Sequence, residues 1–271
     1  IGALRYLGFG SKQVARVAVD DQGRMQPEAL ATTLAAGSGP AIVCLQAGNV
    51  NTGAFDPAQE ICRRAHAAGA WVHVDGAFGL WAAAAPTRAK FAAGLDGADS
   101  WATDAHKWLN VPYDCGLAFV RDPQALQAAM AITAEYLPTQ SEFRNPADFV
   151  PELSRRARGV EVWAALRSLG RAGVAELVER NCAQARRFAE QLAAAGFEIL
   201  NEVVLNQVLV AFGDAEKTRR VIEAIQAEGT CWAGITVWQG RTAMRISVSS
   251  WATTDADVDR SVRAMLEVAR R

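Results

Sequence analysis

The sequence lacks the features that mark a membrane-spanning or a nucleic-acid-binding protein. No apolar run reaches the roughly 18 residues that a transmembrane helix requires. The 28 basic and 29 acidic side chains give a formal net charge of −1, so no excess of positive charge favours nucleic acid or an anionic membrane as a partner. With 51% hydrophobic and 21% charged residues and no low-complexity segment, the composition is typical of a globular protein with a buried core.

Cysteine and histidine are too few and too scattered to predict a metal cluster. The five cysteines are odd in number, none belongs to a CxxC pair, and only three histidines are present. Zinc sites are usually built from closely spaced pairs of these residues. We therefore expect no metal, and we expect the cysteines to be small buried hydrophobic residues of a protein in the reducing cytoplasm.

The first half of the chain alternates strand-like and helix-like segments. Pro27 is expected in the first turn of a helix that runs to residue 36, and Asp56 is expected to be the N-cap of a second helix that has Pro57 at its first position. Buried strands are predicted at residues 41–47, 70–74, 100–103 and 116–120. This alternation predicts an α/β domain with a mainly parallel sheet that is covered on both faces.

The second half of the chain has the pattern of a smaller α+β unit. Helices are predicted at residues 151–169, 174–195, 215–228 and 255–270, and antiparallel strands within residues 197–212 and 230–249. Residues 131–150, of mixed polarity, are predicted to form a long functional loop. We therefore divide the chain into a large domain, residues 1–165, and a small C-terminal domain, residues 166–271.

Two segments place reactive side chains at the ends of predicted strands. Asp75, in HVDGA, ends one strand, and Lys107, in TDAHKW, follows a later one. Ligands of parallel α/β sheets bind at this edge. An aldehyde cofactor needs a lysine amine to hold it, and a pyridine ring stays protonated beside a carboxylate. Together the two residues indicate pyridoxal phosphate, although each alone also suits a surface lysine or a helix N-cap.

The segments HVDGAFG and DAHKWLNVPYDCG, in this order, resemble the core of the group II pyridoxal phosphate-dependent decarboxylases, which include the aromatic-amino-acid and glutamate decarboxylases. The separation of 32 residues between Asp75 and Lys107 fits that family. Further similarity is found at residues 48–57, 151–156, 163–169 and 244–251. The resemblance covers essentially the whole chain and implies a fold type I, aspartate aminotransferase-like enzyme.

The resemblance also implies a region N-terminal to this chain. In the family, that region carries a phosphate-binding loop at a helix N-terminus and a histidine that stacks on the cofactor ring. We expect this region to be missing here. Three explanations remain open: the sequence omits it, a second chain supplies it, or the gene product is truncated. This chain alone is therefore expected to bind the cofactor poorly.

The resemblance assigns cofactor contacts to five residues. It implies that Lys107 binds the cofactor covalently and that Asp75 pairs with the pyridine nitrogen. Ala77 is expected to lie against one face of the ring, where a larger side chain would displace it. His106 is expected to help hold the phosphate, and Thr52, in the upstream segment, is expected to contact the cofactor.

The resemblance also implies roles toward the substrate. Tyr136 matches a loop tyrosine that protonates the substrate Cα, and Arg245 matches a residue that contacts the substrate carboxylate in some members. His73 shares the strand face of Asp75, which suits either a role near the cofactor or packing. Two positions depart from the family's common pattern: Gly76 replaces an alanine, and Asp104 stands where many members have asparagine and brings a negative charge near the expected phosphate.

The implied activity is decarboxylation of an L-amino acid, of the aromatic or acidic type, to the amine and carbon dioxide. The resemblance implies a homodimer with active sites at the subunit interface. Two alternatives remain open. One is another reaction on the same cofactor, such as that of an aminotransferase or an aldehyde-releasing lyase, and the other is a truncated, non-catalytic interaction module.

Overall fold

The computed structural model describes residues 2–132 and 144–271, which form two four-stranded sheets joined by a long helix. The helices are α1 (Gly2–Tyr6), α2 (Pro27–Ala36), α3 (Ala58–Ala67), α4 (Pro123–Met130), α5 (Gly159–Ala194), α6 (Ala215–Glu228) and α7 (Asp255–Ala269). The strands are β1 (Ile42–Gln46), β2 (Trp71–Asp75), β3 (Ser100–Asp104), β4 (Gly116–Val120), β5 (Glu198–Ile199), β6 (Gln207–Ala211), β7 (Gly234–Trp238) and β8 (Arg241–Ser247).

The first sheet has the strand order β1-β2-β3-β4. The first three strands are parallel, and β4 pairs with β3 in the antiparallel direction. The register pairs Gln46 with Asp75 and Asp75 with Ala102, so the carboxyl ends of β1, β2 and β3 meet at one edge. The predicted strands and the mainly parallel sheet are confirmed.

Only one face of this sheet is covered within the described residues. Leu45 of β1 and Val74 of β2 are fully buried in a core to which α3 and α5 contribute. On the opposite face, Ile42 is 54% exposed and Trp71 is 39% exposed. Because alternate side chains of a strand point to opposite faces, this alternation marks one buried and one open face. The expectation that helices cover both faces is therefore wrong for the described part of the chain.

The start of α3 also differs from the prediction. Its N-cap is Pro57, which has no side-chain capping bond. The carboxylate of Asp56 instead accepts hydrogen bonds from the backbone N–H groups of Met25, at 2.7 Å, and Gln46, at 2.6 Å. Burial raises the pKa of Asp56, and these two donors oppose the rise. Asp56 therefore ties β1 to the segment before α2, because its two oxygens meet donors from two different segments.

The second sheet is antiparallel, with the order β5-β6-β8-β7, and packs against α5 and α6, while α7 packs on these two helices and contributes to the same core. The two helices predicted before it form one element that begins at Gly159 and is interrupted at Gly170, where φ is 61°. Along α5, Leu177 and Cys182 belong to the first core, whereas Ala185 and Leu192 belong to the second. The division into residues 1–165 and 166–271 stays a prediction.

The helices in the described part of the chain offer no candidate for a membrane span, since none combines sufficient length with sufficient apolar character. All five cysteines are free thiols. Cys62, Cys115 and Cys182 are buried, as predicted, whereas Cys44 is exposed on the open face of the first sheet. Burial raises the pKa of the Cys182 thiol to about 12, which makes this residue an inert part of the core.

Glu179 on α5 holds the segment that follows β2. Its carboxylate accepts hydrogen bonds from the backbone N–H of Thr87, at 2.8 Å, and from the Thr87 hydroxyl, and Arg88 Nε lies 3.6 Å away. Burial acts to raise the pKa of Glu179, but the bonds from Thr87 and the charge of Arg88 outweigh it, so that this pKa lies below its usual value.

We expect Glu179→Gln to lower the free energy of unfolding at pH 7 by about 1 kcal/mol or less, since solvent screens the carboxylate. A carboxyl with a lowered folded-state pKa stabilises the fold above its ordinary pKa and loses that effect as the pH falls through the folded value. The difference between the two proteins should therefore shrink below about pH 4.5. Urea unfolding of both proteins at descending pH measures this difference in the free energy of unfolding, with Glu223→Gln, at an exposed position, as the control. A pH-independent difference would contradict the prediction.

Candidate active site

The residues predicted to bind the cofactor lie at the carboxyl edge of the parallel strands. Asp75 is the last residue of β2 and pairs in register with Ala102 of β3. The backbone N–H of Asp104, the last residue of β3, donates to the carbonyl of Ala77 at 2.9 Å. Lys107 follows three residues later. The structure thus brings Asp75 and Ala77 to the edge at which the lysine-bearing segment begins.

The carboxylate of Asp75 is exposed at this edge. Asp75 lies on the open face of the sheet, which the described residues leave uncovered. Its Oδ1 accepts a hydrogen bond from the backbone N–H of Ala77 at 3.2 Å. That bond orients the carboxylate along the strand end, and its outer lone pairs remain available to a ligand.

His73, on the same face, is engaged between two strands. Its Nδ1 shares a hydrogen bond with Ser100 Oγ at 2.8 Å, and Trp71 Nε1 donates to the same oxygen at 2.8 Å. Burial lowers the pKa of His73, although the charge of Asp75 opposes that shift. These contacts hold the His73 ring between β2 and β3. A role of His73 toward the cofactor stays a prediction.

Lys107 is paired with an acid in this structure. Its Nζ lies 2.8 Å from Asp104 Oδ2, and its side chain is 41% exposed. His106 Nε2 lies 3.9 Å from the same oxygen. His106 Nδ1 lies 3.1 Å from the backbone nitrogen and 3.0 Å from the carbonyl oxygen of Cys115, so either tautomer of the ring finds a partner there, and the ring packs on Tyr113 with centroids 4.2 Å apart. An amine, a carboxylate and an imidazole therefore meet at one place.

These groups fit pyridoxal phosphate. Lys107 offers the amine that an aldehyde requires, Asp75 offers an accessible carboxylate, and His106 offers an imidazole ring, which binds an anion through a protonated nitrogen. The absence of a side chain at Gly76 also has a local reason. A Cβ there would lie 2.8 Å from Leu80 Cβ and 3.3 Å from the Ala102 carbonyl oxygen, so the common alanine would need Leu80 to move.

Thr52 is placed differently from the other predicted cofactor residues. Its side chain is fully buried, and its hydroxyl donates to the carbonyl of Gln22 at 2.7 Å and accepts from the backbone N–H of Ala54 at 3.2 Å. Asn201 Nδ2 donates to the Thr52 carbonyl at 3.0 Å. The hydroxyl is therefore committed to the hydrogen bonds of its own loop, and a cofactor contact of Thr52 stays a prediction.

The structure describes one of the two predicted substrate residues, Arg245. Arg245 is half-buried on β8, and its Nη1 donates to the carbonyl of Val50 at 3.1 Å, in the loop after β1. Tyr136 lies outside the residues that the structure describes. The proposed roles of both residues stay predictions.

Sequence reasoning missed Asn110, which links the lysine-bearing segment to the second sheet. Its Nδ2 donates to the carbonyls of Trp108, at 2.6 Å, and Ser249, at 2.9 Å, and its Oδ1 accepts from the backbone N–H of Trp251 at 3.3 Å. Its φ of 57° lies in the left-handed region, where asparagine is tolerated better than most residues. Only the asparagine itself, directly after HKWL, could have signalled this position.

Comparison with known proteins gives the same family as the motifs. A family model described as "Pyridoxal-dependent decarboxylase conserved domain" matches residues 3–213. The 4-hydroxyphenylacetaldehyde synthase of Rhodiola rosea is 30% identical over 98% of this chain and 57% of its own length. The L-2,4-diaminobutyrate decarboxylase of Rhizobium meliloti is 32% identical over 97% of this chain and 56% of its own length.

Solved structures share the fold. Oryza sativa TDC, crystallised with PLP and tryptamine, superimposes with a TM-score of 0.92 at 24% identity, over 99% of this chain and 60% of that one. The Rhodiola rosea synthase superimposes with a TM-score of 0.88 at 27% identity, over 99% of this chain and 59% of that one. The predicted fold type I architecture is therefore confirmed.

The chain spans a little more than half the length of these curated relatives. The family model nevertheless covers both strand-end motifs, including Asp75 and Lys107, and most of the chain. Pyridoxal phosphate, the cofactor that the motifs predicted, is the cofactor of this family. The chain belongs to the family of pyridoxal-dependent decarboxylases.

Proposed function

We propose that the protein carrying this chain decarboxylates an L-amino acid with pyridoxal phosphate, releasing the amine and carbon dioxide. The observation that carries the proposal is that Asp75 and the segment bearing Lys107 lie at the same ligand-binding edge of the sheet, in a chain of this family. Decarboxylases are among the relatives that support it, one of them acting on a diamino acid. The substrate class is therefore not limited to the aromatic and acidic amino acids expected from the motifs.

Each residue at the edge has a defined task in this proposal. When bound, pyridoxal phosphate supplies an electron sink for the negative charge left on the substrate Cα by loss of carbon dioxide. The Asp75 carboxylate keeps the pyridine nitrogen protonated, which that sink requires. The His106 imidazole would bind the phosphate, and the methyl group of Ala77 would leave room for the ring. Lys107 would hold the cofactor through its aldehyde carbon.

The substrate side of the proposal rests on two further residues. Tyr136 donates its phenolic proton to the substrate Cα, which commits the reaction to the amine. The Arg245 guanidinium pairs with a carboxylate of the substrate; this requires it to exchange its hydrogen bond to the Val50 carbonyl. Both assignments derive from the resemblance to the family.

A second candidate is formation of an aldehyde. The Rhodiola rosea relative, 30% identical over nearly the whole chain, is a 4-hydroxyphenylacetaldehyde synthase, and the phenylacetaldehyde synthases of Arabidopsis thaliana and Petunia hybrida are also similar. The residues at the strand edge suit both outcomes, because loss of carbon dioxide is common to them. The next step separates the two: the amine needs only a proton on the Cα, whereas the aldehyde needs a two-electron oxidant, such as dioxygen, and water that releases the nitrogen as ammonia.

Product analysis tests the proposal. We expect the purified protein, supplied with pyridoxal phosphate and a panel of aromatic, acidic and diamino L-amino acids, to release amine and carbon dioxide in equal amounts from at least one. The D-enantiomers serve as matched controls and should give neither. Aldehyde in place of amine would favour the second candidate, and a keto acid without carbon dioxide would contradict both.

We propose further that the protein is a cytoplasmic homodimer. The free cysteines of the described residues suit a reducing compartment. The open face of the first sheet, with Ile42 and Trp71, suits coverage by further protein.

The alternative of a non-catalytic interaction module is disfavoured because both Asp75 and Lys107 are present, and such a module would need neither.

A further inference from the structure

We propose that Asp104 is a positioning residue that restrains the Lys107 amine before the cofactor is loaded. This inference rests on the proposed function, in which Lys107 is the cofactor lysine. It assigns a task to the acid of the segment TDAHKW, whose negative charge has no other explained role at the site. Asp104 thereby sets the rate at which the lysine captures an aldehyde.

The geometry carries the inference. Asp104 Oδ2 lies 2.8 Å from Lys107 Nζ, the distance of a direct charge-assisted hydrogen bond. The acid cannot easily move away, because its backbone N–H is bonded to the Ala77 carbonyl and its carbonyl accepts from Trp81 Nε1 at 3.3 Å. His106 Nε2 also lies near the pair, 3.9 Å from the same oxygen. Asp104 is therefore fixed at the strand end and holds the mobile amine.

The chemistry explains why this contact matters. The ammonium of Lys107 must lose one proton, to solvent at this half-exposed position, before Nζ can attack the aldehyde carbon. The new nitrogen–carbon bond then forms, and the aldehyde oxygen leaves as water with the two hydrogens that remained on Nζ. No oxidant or reductant is needed. Each capture must break the ion pair with Asp104, so removing the carboxylate should accelerate it.

A different effect of Asp104 must be separated from this one. The carboxylate also lies near His106, where the phosphate is expected, and like charges repel. That repulsion would slow pyridoxal phosphate but not pyridoxal, which has the aldehyde and no phosphate. The restraint on Lys107, in contrast, acts equally on both aldehydes. The two compounds therefore distinguish the two effects.

The experiment uses borohydride to fix the aldehyde on Lys107 at successive times, and mass spectrometry to measure how fast this label accumulates on the Lys107 peptide. It is run with pyridoxal phosphate and separately with pyridoxal. We expect Asp104→Asn and Asp104→Ala each to raise that rate about two- to fivefold with both aldehydes, the range for a partly exposed ion pair. Asp21→Asn, which removes an exposed remote carboxylate, should leave both rates unchanged. Urea unfolding of each variant confirms that the fold is intact.

Three results would overturn the inference. A faster reaction with pyridoxal phosphate alone would show that Asp104 acts on the phosphate. Unchanged rates with both aldehydes would show that the ion pair does not restrain the amine. In that case, label on Lys107 of the unmodified protein would still support the proposed function. Absence of label on Lys107 in every protein would contradict the proposed function, and the inference with it.

Discussion

Replacing Lys107 by alanine is expected to abolish covalent cofactor binding and to slow decarboxylation by about three orders of magnitude or more. The chain has four lysines, and Lys107 is the one at the strand edge that carries Asp75. Its side chain is 41% exposed and pairs with Asp104, so its loss should leave the free energy of unfolding almost unchanged. The expected defect is therefore chemical and not structural.

The measurement is the absorption spectrum of the protein with pyridoxal phosphate, followed by product analysis. The unmodified protein should show a band from the lysine-bound cofactor, and Lys107→Ala should show only the free aldehyde. Lys90→Ala is the matched control, since Lys90 is exposed and its Nζ lies over the Phe91 ring, 5.2 Å from the centroid. A band retained by Lys107→Ala but lost with Lys90→Ala would refute the assignment.

Substitution of Gly79 by alanine is expected to lower the free energy of unfolding by about 3 kcal/mol, the upper end for overpacking. A Cβ at this position would lie 2.1 Å from the Ala47 carbonyl oxygen and 2.8 Å from the Gly48 Cα. Both are backbone atoms, so no flexible side chain can move aside. Because the Ala47 N–H donates to the Asp75 carbonyl at 2.8 Å, a shift of the Ala47 backbone should also displace Asp75.

Gly159→Ala provides the control for this prediction. Nothing lies within 4 Å of a Cβ at Gly159, and its φ is not positive, so the substitution should change the free energy of unfolding by no more than about 0.5 kcal/mol. Urea unfolding measures both variants, and titration with pyridoxal phosphate should show weaker binding for Gly79→Ala alone. Equal stability of the two variants would mean that β1 and the segment after β2 separate readily.

The strands of the first sheet were predictable because their signals are local. Short apolar runs predicted β1 to β4, and the motifs placed Asp75 at the end of one strand and Lys107 after another. The cofactor roles of both residues stay predictions. The predictions that failed concern partners from distant segments. Asp56 was expected to cap α3, but it accepts hydrogen bonds from Met25 and Gln46 instead. A sequence pattern reports the preference of a residue for its neighbours in the chain, and does not identify the donor that folding brings to it.

The sequence by itself determined the family and the cofactor. It also predicted that the reactive side chains follow the ends of strands, because they stand at fixed offsets from apolar runs. Only the tertiary structure decided that the first sheet has one open face, that Asp104 holds the Lys107 amine and that Asn110 links the lysine segment to the second sheet. These features depend on distances between residues up to 139 positions apart or on which face of a strand is covered. Burial and contact are properties of the packed chain, and local sequence preference does not specify them.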